Sequence, residues 1–301
     1  MFNNRIKIRK QTYNKIQPNE IKGMCFELAS CFFFALFSVV GCLLSKKYTL
    51  SQMLLFKNFG GLLVSLIILI PKYKFSFIKS TSLSPYIMRS ILGCTGTYIW
   101  FWCLSITNFA EATAINYCIP LFTAIFGVVI LKEEVRPALW ISMVIGFAGM
   151  FIILRPNFSN YCTGYLLAMA TALLWSFSNI ALKKATLKDT KQTVVFYLSL
   201  IMTILSFPFA IVNWVEVNVS DYELLFLLGG LSFVTHYTQS SAYTLAKVSS
   251  LQPINFFRLV FASVAGFFFL GQDVDYHVMI GGVIIFISGL FYYYLSGKKV
   301  M

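Results

Sequence analysis

Ten stretches of about 20 predominantly apolar residues, each with at most one charged side chain, follow one another along the chain: 24–44, 50–70, 85–105, 112–131, 137–154, 163–182, 193–213, 222–245, 250–270 and 277–296. A helix crossing roughly 30 Å of hydrocarbon at 1.5 Å per residue needs that length. The pattern therefore predicts an all-α integral membrane protein with ten transmembrane helices. The joining segments are short and hold nearly all the charges, which leaves no room for a separate soluble domain. The first apolar stretch follows a basic segment and continues past the length of a signal-peptide core into Ser45, Lys46 and Lys47 without an A-x-A-like site, so it is expected to stay as a span.

The pattern also repeats. Leu131-Lys132-Glu133-Glu134-Val135 closes the fourth stretch, and Leu270-Gly271-Gln272-Asp273-Val274 closes the ninth, about 139 residues later. The same offset lays Ile115-Asn116 on Ile254-Asn255, and with a one-residue gap Gly149 falls on Gly289. The chain thus divides into a basic N-terminal segment, 1–22, and two five-span halves, 23–155 and 160–301. Five is odd, so the second half must enter the bilayer inverted relative to the first. Inverted halves around a midplane site are an architecture of secondary transporters, which rock between inward-open and outward-open states.

Composition narrows the class. With 58% hydrophobic and 12% charged residues and a mean hydropathy of +0.76, the chain lies far outside the soluble range. A net charge of +13 would suggest nucleic acid in a soluble domain, but its placement argues otherwise. With the N-terminus inside, cytoplasmic segments hold 18 of the 24 basic residues and outer loops hold 3; the rest lie in spans. That asymmetry places both termini in the cytoplasm and makes the bilayer, not nucleic acid, the large partner. Seven cysteines without C-x-x-C spacing read as small apolar fillers, not as a disulfide or metal framework.

An ionisable side chain within hydrocarbon costs about 2.5–3.5 kcal/mol on insertion scales, so each calls for a reason. Arg258, eight residues into span nine, is too deep to snorkel easily and is the leading candidate for substrate binding, with an internal ion pair as the alternative. Lys57 divides between substrate contact and snorkelling. Arg89 is expected to snorkel to the cytoplasmic face. Glu27 is expected to be interfacial, yet it is the acid able to neutralise a nearby cation. His236 offers a proton relay or a hydrogen bond, with Gln239 a turn on. Tyr98 and Trp100 in span three, Asn116 and Tyr117 in span four, Trp175 and Asn179 in span six, Tyr237 in span eight and Asn255 in span nine are the candidate polar and aromatic wall for a planar or cationic ligand. Pro120 and Pro253 interrupt two related helices. The glycines of spans five and ten (Gly146, Gly149, Gly281, Gly282, Gly289) are assigned to close packing or to a homodimer. No nucleophile elbow, zinc-hydrolase motif or phosphate loop is present, so neither catalysis nor a cofactor is expected.

Ile119-Pro120-Leu121-Phe122, Ile130-Leu131-Lys132-Glu133-Glu134, Gly146-Phe147-Ala148-Gly149 and Leu154-Arg155-Pro156 together resemble the signature of the EamA family in the drug/metabolite transporter superfamily. The likeness covers essentially the whole chain. It implies a bacterial inner-membrane carrier of a small metabolite working by alternating access. Within that family, Pro253 to Leu259, with Phe256-Phe257-Arg258, is similar to a stretch of rickettsial-type S-adenosylmethionine uptake transporters, which implies that substrate. Export of amino acids or drug-like compounds is the alternative the family allows. The second-half counterpart of the L-x-E departs from the pattern, with Gln272 in place of the acid.

Overall fold

The computed structural model describes residues 19–107, 109–135, 137–156, 162–212, 214–271 and 276–297. These form twelve α-helices and no strand: α1 Glu20–Ser45, α2 Leu50–Tyr73, α3 Ser84–Ile106, α4 Phe109–Asn116, α5 Ile119–Leu131, α6 Pro137–Leu154, α7 Cys162–Thr186, α8 Lys191–Val212, α9 Tyr222–Leu245, α10 Val248–Asn255, α11 Phe257–Leu270 and α12 Tyr276–Gly297. Ten spans result, because α4 with α5 and α10 with α11 are broken halves of single crossings. Eight of the ten are long and apolar enough to cross on that ground alone. The two that are not, α3 and α9, are the third span of each half. They carry Arg89 and Ser90, and His236, Gln239, Ser240 and Ser241, all polar groups that a bilayer would not solvate.

The breaks sit where the repeat puts them. At the offset of 139 residues, α4 maps onto α10 end for end, and the gap at Tyr117-Cys118 maps onto Phe256-Phe257. Pro120 starts the helix after the first break, while Pro253 lies in the last turn before the second. Each removes a backbone N–H beside its break, from opposite sides. Gly146 and Gly289 leave the room taken by Phe256 and Phe257, since a Cβ on either would stand 2.7 or 2.6 Å from a ring carbon.

Helix packing follows the same symmetry. α1 packs on α9 as α7 packs on α3, and α1 packs on α10 and α11 as α7 packs on α4 and α5. α2 with α8, and α6 with α12, pair with their own counterparts. In the α6–α12 pair a Cβ on Gly281 would lie 2.5 Å from the Gly149 carbonyl oxygen, so these glycines serve close packing within one chain.

The left-handed end of span four also repeats. Lys132 has φ 55° and its counterpart Gly271 has φ 63°, each closing its helix with a hydrogen bond back to a glycine carbonyl, Gly127 and Gly266. A lysine Cβ in that region costs about 1–2 kcal/mol that glycine does not. Lys132→Gly is therefore expected to raise the thermal unfolding midpoint; a lowered midpoint would show that the lysine side chain matters more than its backbone.

Alternate crossing is visible in the loops. Calling the face where α1 begins proximal, every hydrogen bond described between loops joins two of the same face. On the distal side Asp221, before α9, accepts from Lys47 at 2.8 and 3.0 Å and from Tyr48 at 2.7 Å, both in the α1–α2 loop. On the proximal side Asp189, between α7 and α8, accepts from Ser80 (2.7 Å), Thr81 (3.0 Å) and Tyr86 (2.7 Å) at the start of α3. The two carboxylate latches are counterparts under the inverted repeat: each joins the loop after the first span of one half to the loop before the third span of the other.

Hydrogen bonds from Lys47 and then Tyr48 hold Asp221 below the usual carboxylate range. At Asp189 burial pushes the other way, and the bonds from Tyr86, Ser80 and Thr81 outweigh it. A carboxylate whose pKa is lowered on folding contributes stability above its unfolded pKa and loses it as pH falls through the folded value. The difference in thermal midpoint between the native protein and Asp221→Asn is thus expected to be full near neutral pH and to shrink below about pH 4. A difference that grows on acidification would contradict this.

Candidate functional site

The residues that no lipid would accept meet where α1, α3, α9 and the two halves of span nine converge. Glu27 projects from α1 and is 0% exposed. Arg258 lies one residue past the break in span nine, with its guanidinium carbon 4.9 Å above the Phe34 ring and its Nη2 3.6 Å from Glu27 Oε1. Arg89 from α3 donates to the Ser178 carbonyl at 3.2 Å and to Gln239 Oε1 at 3.3 Å, and Ser178 Oγ donates back to the Arg89 carbonyl at 3.0 Å. Asn255 donates to Gln252 Oε1 at 3.2 Å beside Glu27. At 1.5 Å per residue, Glu27, Arg89, Gln239, Asn255 and Arg258 stand roughly 8–15 Å along their helices from the proximal face, well inside the hydrocarbon.

The charges of Glu27, Arg89 and Arg258 act on one another and on Tyr243, and those of Lys57, Arg89 and Arg258 act on His236. Hydrogen bonding here is incomplete. Both Glu27 oxygens, Arg258 Nε, Arg89 Nε, Asn116 Nδ2, His236 Nδ1, Ser240 Oγ and Tyr243 Oη are buried without a well-formed hydrogen bond, although Asn255, Gln239 and Gln252 stand beside Glu27, His236 and Tyr243. Each such atom costs about 1–3 kcal/mol, and native proteins hold few of them. Their concentration near the Glu27–Arg258 pair makes this the candidate site.

Two expectations from the sequence are corrected. Arg89 does not snorkel: it is buried and bound between α7 and α9. Glu27 is not interfacial, because α1 begins at Glu20 and carries it two turns into the bundle. Arg258 does form the internal ion pair held open as its alternative.

The aromatic candidates separate. Tyr117 stacks on Phe256 across the two breaks, with ring centres 6.3 Å apart, and lies within the field of Arg258. Trp100 and Trp175 face each other at 6.1 Å on α3 and α7, Trp175 donates to the Gly93 carbonyl at 3.3 Å, and Asn179 donates to Thr123 at 3.5 Å. These groups, all uncharged, lie at the counterpart crossing. Lys57 lies 5.4 Å over the Phe37 ring. Tyr98 packs on Phe209 at 4.7 Å and Tyr237 lies under Lys191 at 4.8 Å, so neither contacts the ion pair.

Sequence reasoning missed Tyr243, Gln252 and Ser240, all buried at the site. The spacing 236, 239, 240, 243 along α9 was a legible signal: one face of a helix carrying only polar-tipped side chains.

Glu133, in the L-x-E, has an explicit task. Its Oε1 accepts from the Val248 N–H at 2.9 Å, and its Oε2 accepts from Ser249 N–H at 2.9 Å and Ser249 Oγ at 2.6 Å. The carboxylate of span four thereby caps the N-terminus of α10, the half-helix that carries Gln252 and Asn255. Lys183 donates to the Tyr243 and Ala246 carbonyls at 2.5 and 2.6 Å, closing the end of α9 in the same turn. The counterpart Gln272 and Asp273 lie outside the described residues.

Set beside known proteins, residues 21–155 and 162–294 each match the model of the EamA-like transporter family. The chain belongs to that family. Curated relatives include the "S-adenosylmethionine uptake transporter" of Rickettsia prowazekii (strain Madrid E), 26% identical over 281 residues, covering 93% of this chain and 95% of that protein. They also include the "Riboflavin transporter" of Vibrio cholerae serotype O1 (strain ATCC 39315 / El Tor Inaba N16961), 27% identical and covering 71% of this chain and 72% of that protein. A solved crystal structure matches the fold at a TM-score of 0.78 and 18% identity, over 93% of this chain and 100% of that one. This EamA-family chain is thus a multi-pass membrane transporter of a small molecule and not an enzyme.

Proposed function

We propose that this chain is a secondary transporter that takes up S-adenosylmethionine by alternating access across a bacterial cytoplasmic membrane, with both termini inside. The observation that carries the reading is the incompletely satisfied polar site at the break of span nine. Arg258 and Glu27 answer the opposite charges of an amino-acid conjugate. Arg89, Lys57, His236, Gln239, Asn116 and Asn255 supply further polar contacts around it. Rings at Tyr117, and at Trp100 and Trp175 on the counterpart crossing beside Asn179, offer surfaces to a purine. Tyr98 and Tyr237 are the weakest members of the set, since each is engaged elsewhere. Relatives of high coverage that bear the uptake name support the substrate, and the excess of basic residues on the proximal side supports the orientation. The outward faces of α6 and α12, where Val144 and Val283 are exposed, are the surfaces we assign to a homodimer.

Riboflavin is the second reading, favoured by relatives of that name and by the paired tryptophans. A ligand that binds the folded state raises its stability, by about 2.7 kcal/mol at one hundred times Kd. Purified protein is expected to melt higher with S-adenosylmethionine and unchanged with riboflavin. The reverse result would replace the first reading with the second.

A further inference from the structure

We propose that Glu27 and Arg258 together are the receptor for a 2-aminocarboxylate head group: the guanidinium takes the carboxylate and Glu27 takes the ammonium, so that binding splits an ion pair which the empty protein keeps to itself. This deepens the transport reading above and rests on it.

The pair is unfinished as a structural element. Its 3.6 Å separation exceeds the roughly 2.7–2.9 Å of a charge-assisted hydrogen bond, and neither carboxylate oxygen nor Arg258 Nε makes a well-formed hydrogen bond. A buried pair kept for the fold has its remaining lone pairs and protons satisfied. This one is also unnecessary to its helix crossing. At the repeat offset Arg258 corresponds to Ile119, and that counterpart crossing is joined by uncharged groups, Ser176 donating to the Ile119 carbonyl at 3.2 Å and Asn179 to Thr123.

Geometry allows the exchange. Of the two, Arg258 is the less enclosed, with 25% of its side chain exposed against none for Glu27, so the guanidinium is the member free to turn, and Glu27 becomes available as it does. Phe34 beneath the guanidinium keeps its fork oriented. A zwitterionic head brings both charges at once, replacing one pair by two, and the head itself adds no net charge within the hydrocarbon. A ligand bearing only the nucleoside part leaves the pair closed.

The test compares thermal stabilisation of the purified full-length protein by S-adenosylmethionine, S-adenosylhomocysteine, methionine, arginine and 5′-methylthioadenosine, which lacks the amino-acid head. The first two are expected to raise the midpoint, methionine or arginine to do so more weakly, and 5′-methylthioadenosine to leave it unchanged at a hundredfold higher concentration. In Glu27→Met/Arg258→Met the ligand-free midpoint is expected to persist while the concentration of each ligand needed for a given shift rises at least a hundredfold. Stabilisation by 5′-methylthioadenosine equal to that by S-adenosylhomocysteine overturns the inference and leaves the transport reading standing. Stabilisation by free amino acids without the adenosyl compounds supports the inference and removes S-adenosylmethionine as substrate. Native ligand shifts in the double variant, or no shift of the native protein by any compound with an amino-acid head, overturn the inference; the comparison on native protein needs no variant to fold.

Discussion

Arg258→Met alone is expected to cost about 3–5 kcal/mol of stability, while Glu27→Met/Arg258→Met recovers most of that loss. The asymmetry has a simple cause. Removing the arginine leaves a carboxylate at 0% exposure without its nearest counter-ion, with only Asn255 and the charge of Arg89 to answer it. Removing both members replaces an incomplete pair with apolar side chains in a bundle that already holds the counterpart crossing without charge. Chemical or thermal unfolding in a mild detergent reads both values. A single variant as stable as the double would mean that the charge on Glu27 has little electrostatic consequence, contrary to its burial.

The second large effect is expected at Glu133. Alanine there removes three hydrogen bonds of 2.6–2.9 Å, two of them to the N–H groups that open α10. With bonds to a charged group contributing about 1.5–3 kcal/mol each but not independently, a loss of about 3 kcal/mol is expected. Transport should fall further than stability, because α10 carries Gln252 and Asn255 and precedes the break that aims Arg258. Glu133→Gln keeps one acceptor and is expected to lie between. Alanine with unchanged unfolding and unchanged transport would show that α10 is held by packing alone.

These cases also show what a single sequence discloses about this fold. Apolar run lengths are a local property, and they define ten crossings because hydrocarbon thickness is fixed. The offset that pairs Asn116 with Asn255 locates both helix breaks, and the pairing of Lys132 with Gly271 locates both left-handed helix ends. The polar character of α3 and α9 was likewise visible residue by residue. Burial and partnership were not. The apolar run starts near Met24 and so sets Glu27 at the interface, while the helix starts at Glu20 and carries it deeper. Nothing local to Arg89 announces its burial, because its acceptors, Ser178 and Gln239, lie on helices far along the chain. Tyr98 and Tyr237 share mid-helix positions with Tyr117, and only the packing of α8 on α3 and α9 draws them to Phe209 and Lys191. The L-x-E was legible as a motif, but its bond partner stands 115 residues away.

The two latches bear on the transport cycle. Asp189 and Asp221 tie counterpart loops on opposite faces, an arrangement that fits the proposed alternating access of two inverted halves. The proposed substrate site lies between them, at the break of span nine, where Glu27 and Arg258 pair.

Uptake of labelled S-adenosylmethionine into vesicles reconstituted with the native protein tests the account most directly. Saturable accumulation above empty vesicles, competed by S-adenosylhomocysteine and absent with Glu27→Met/Arg258→Met, is the predicted result. Uptake by folded native protein equal to that of empty vesicles would contradict it.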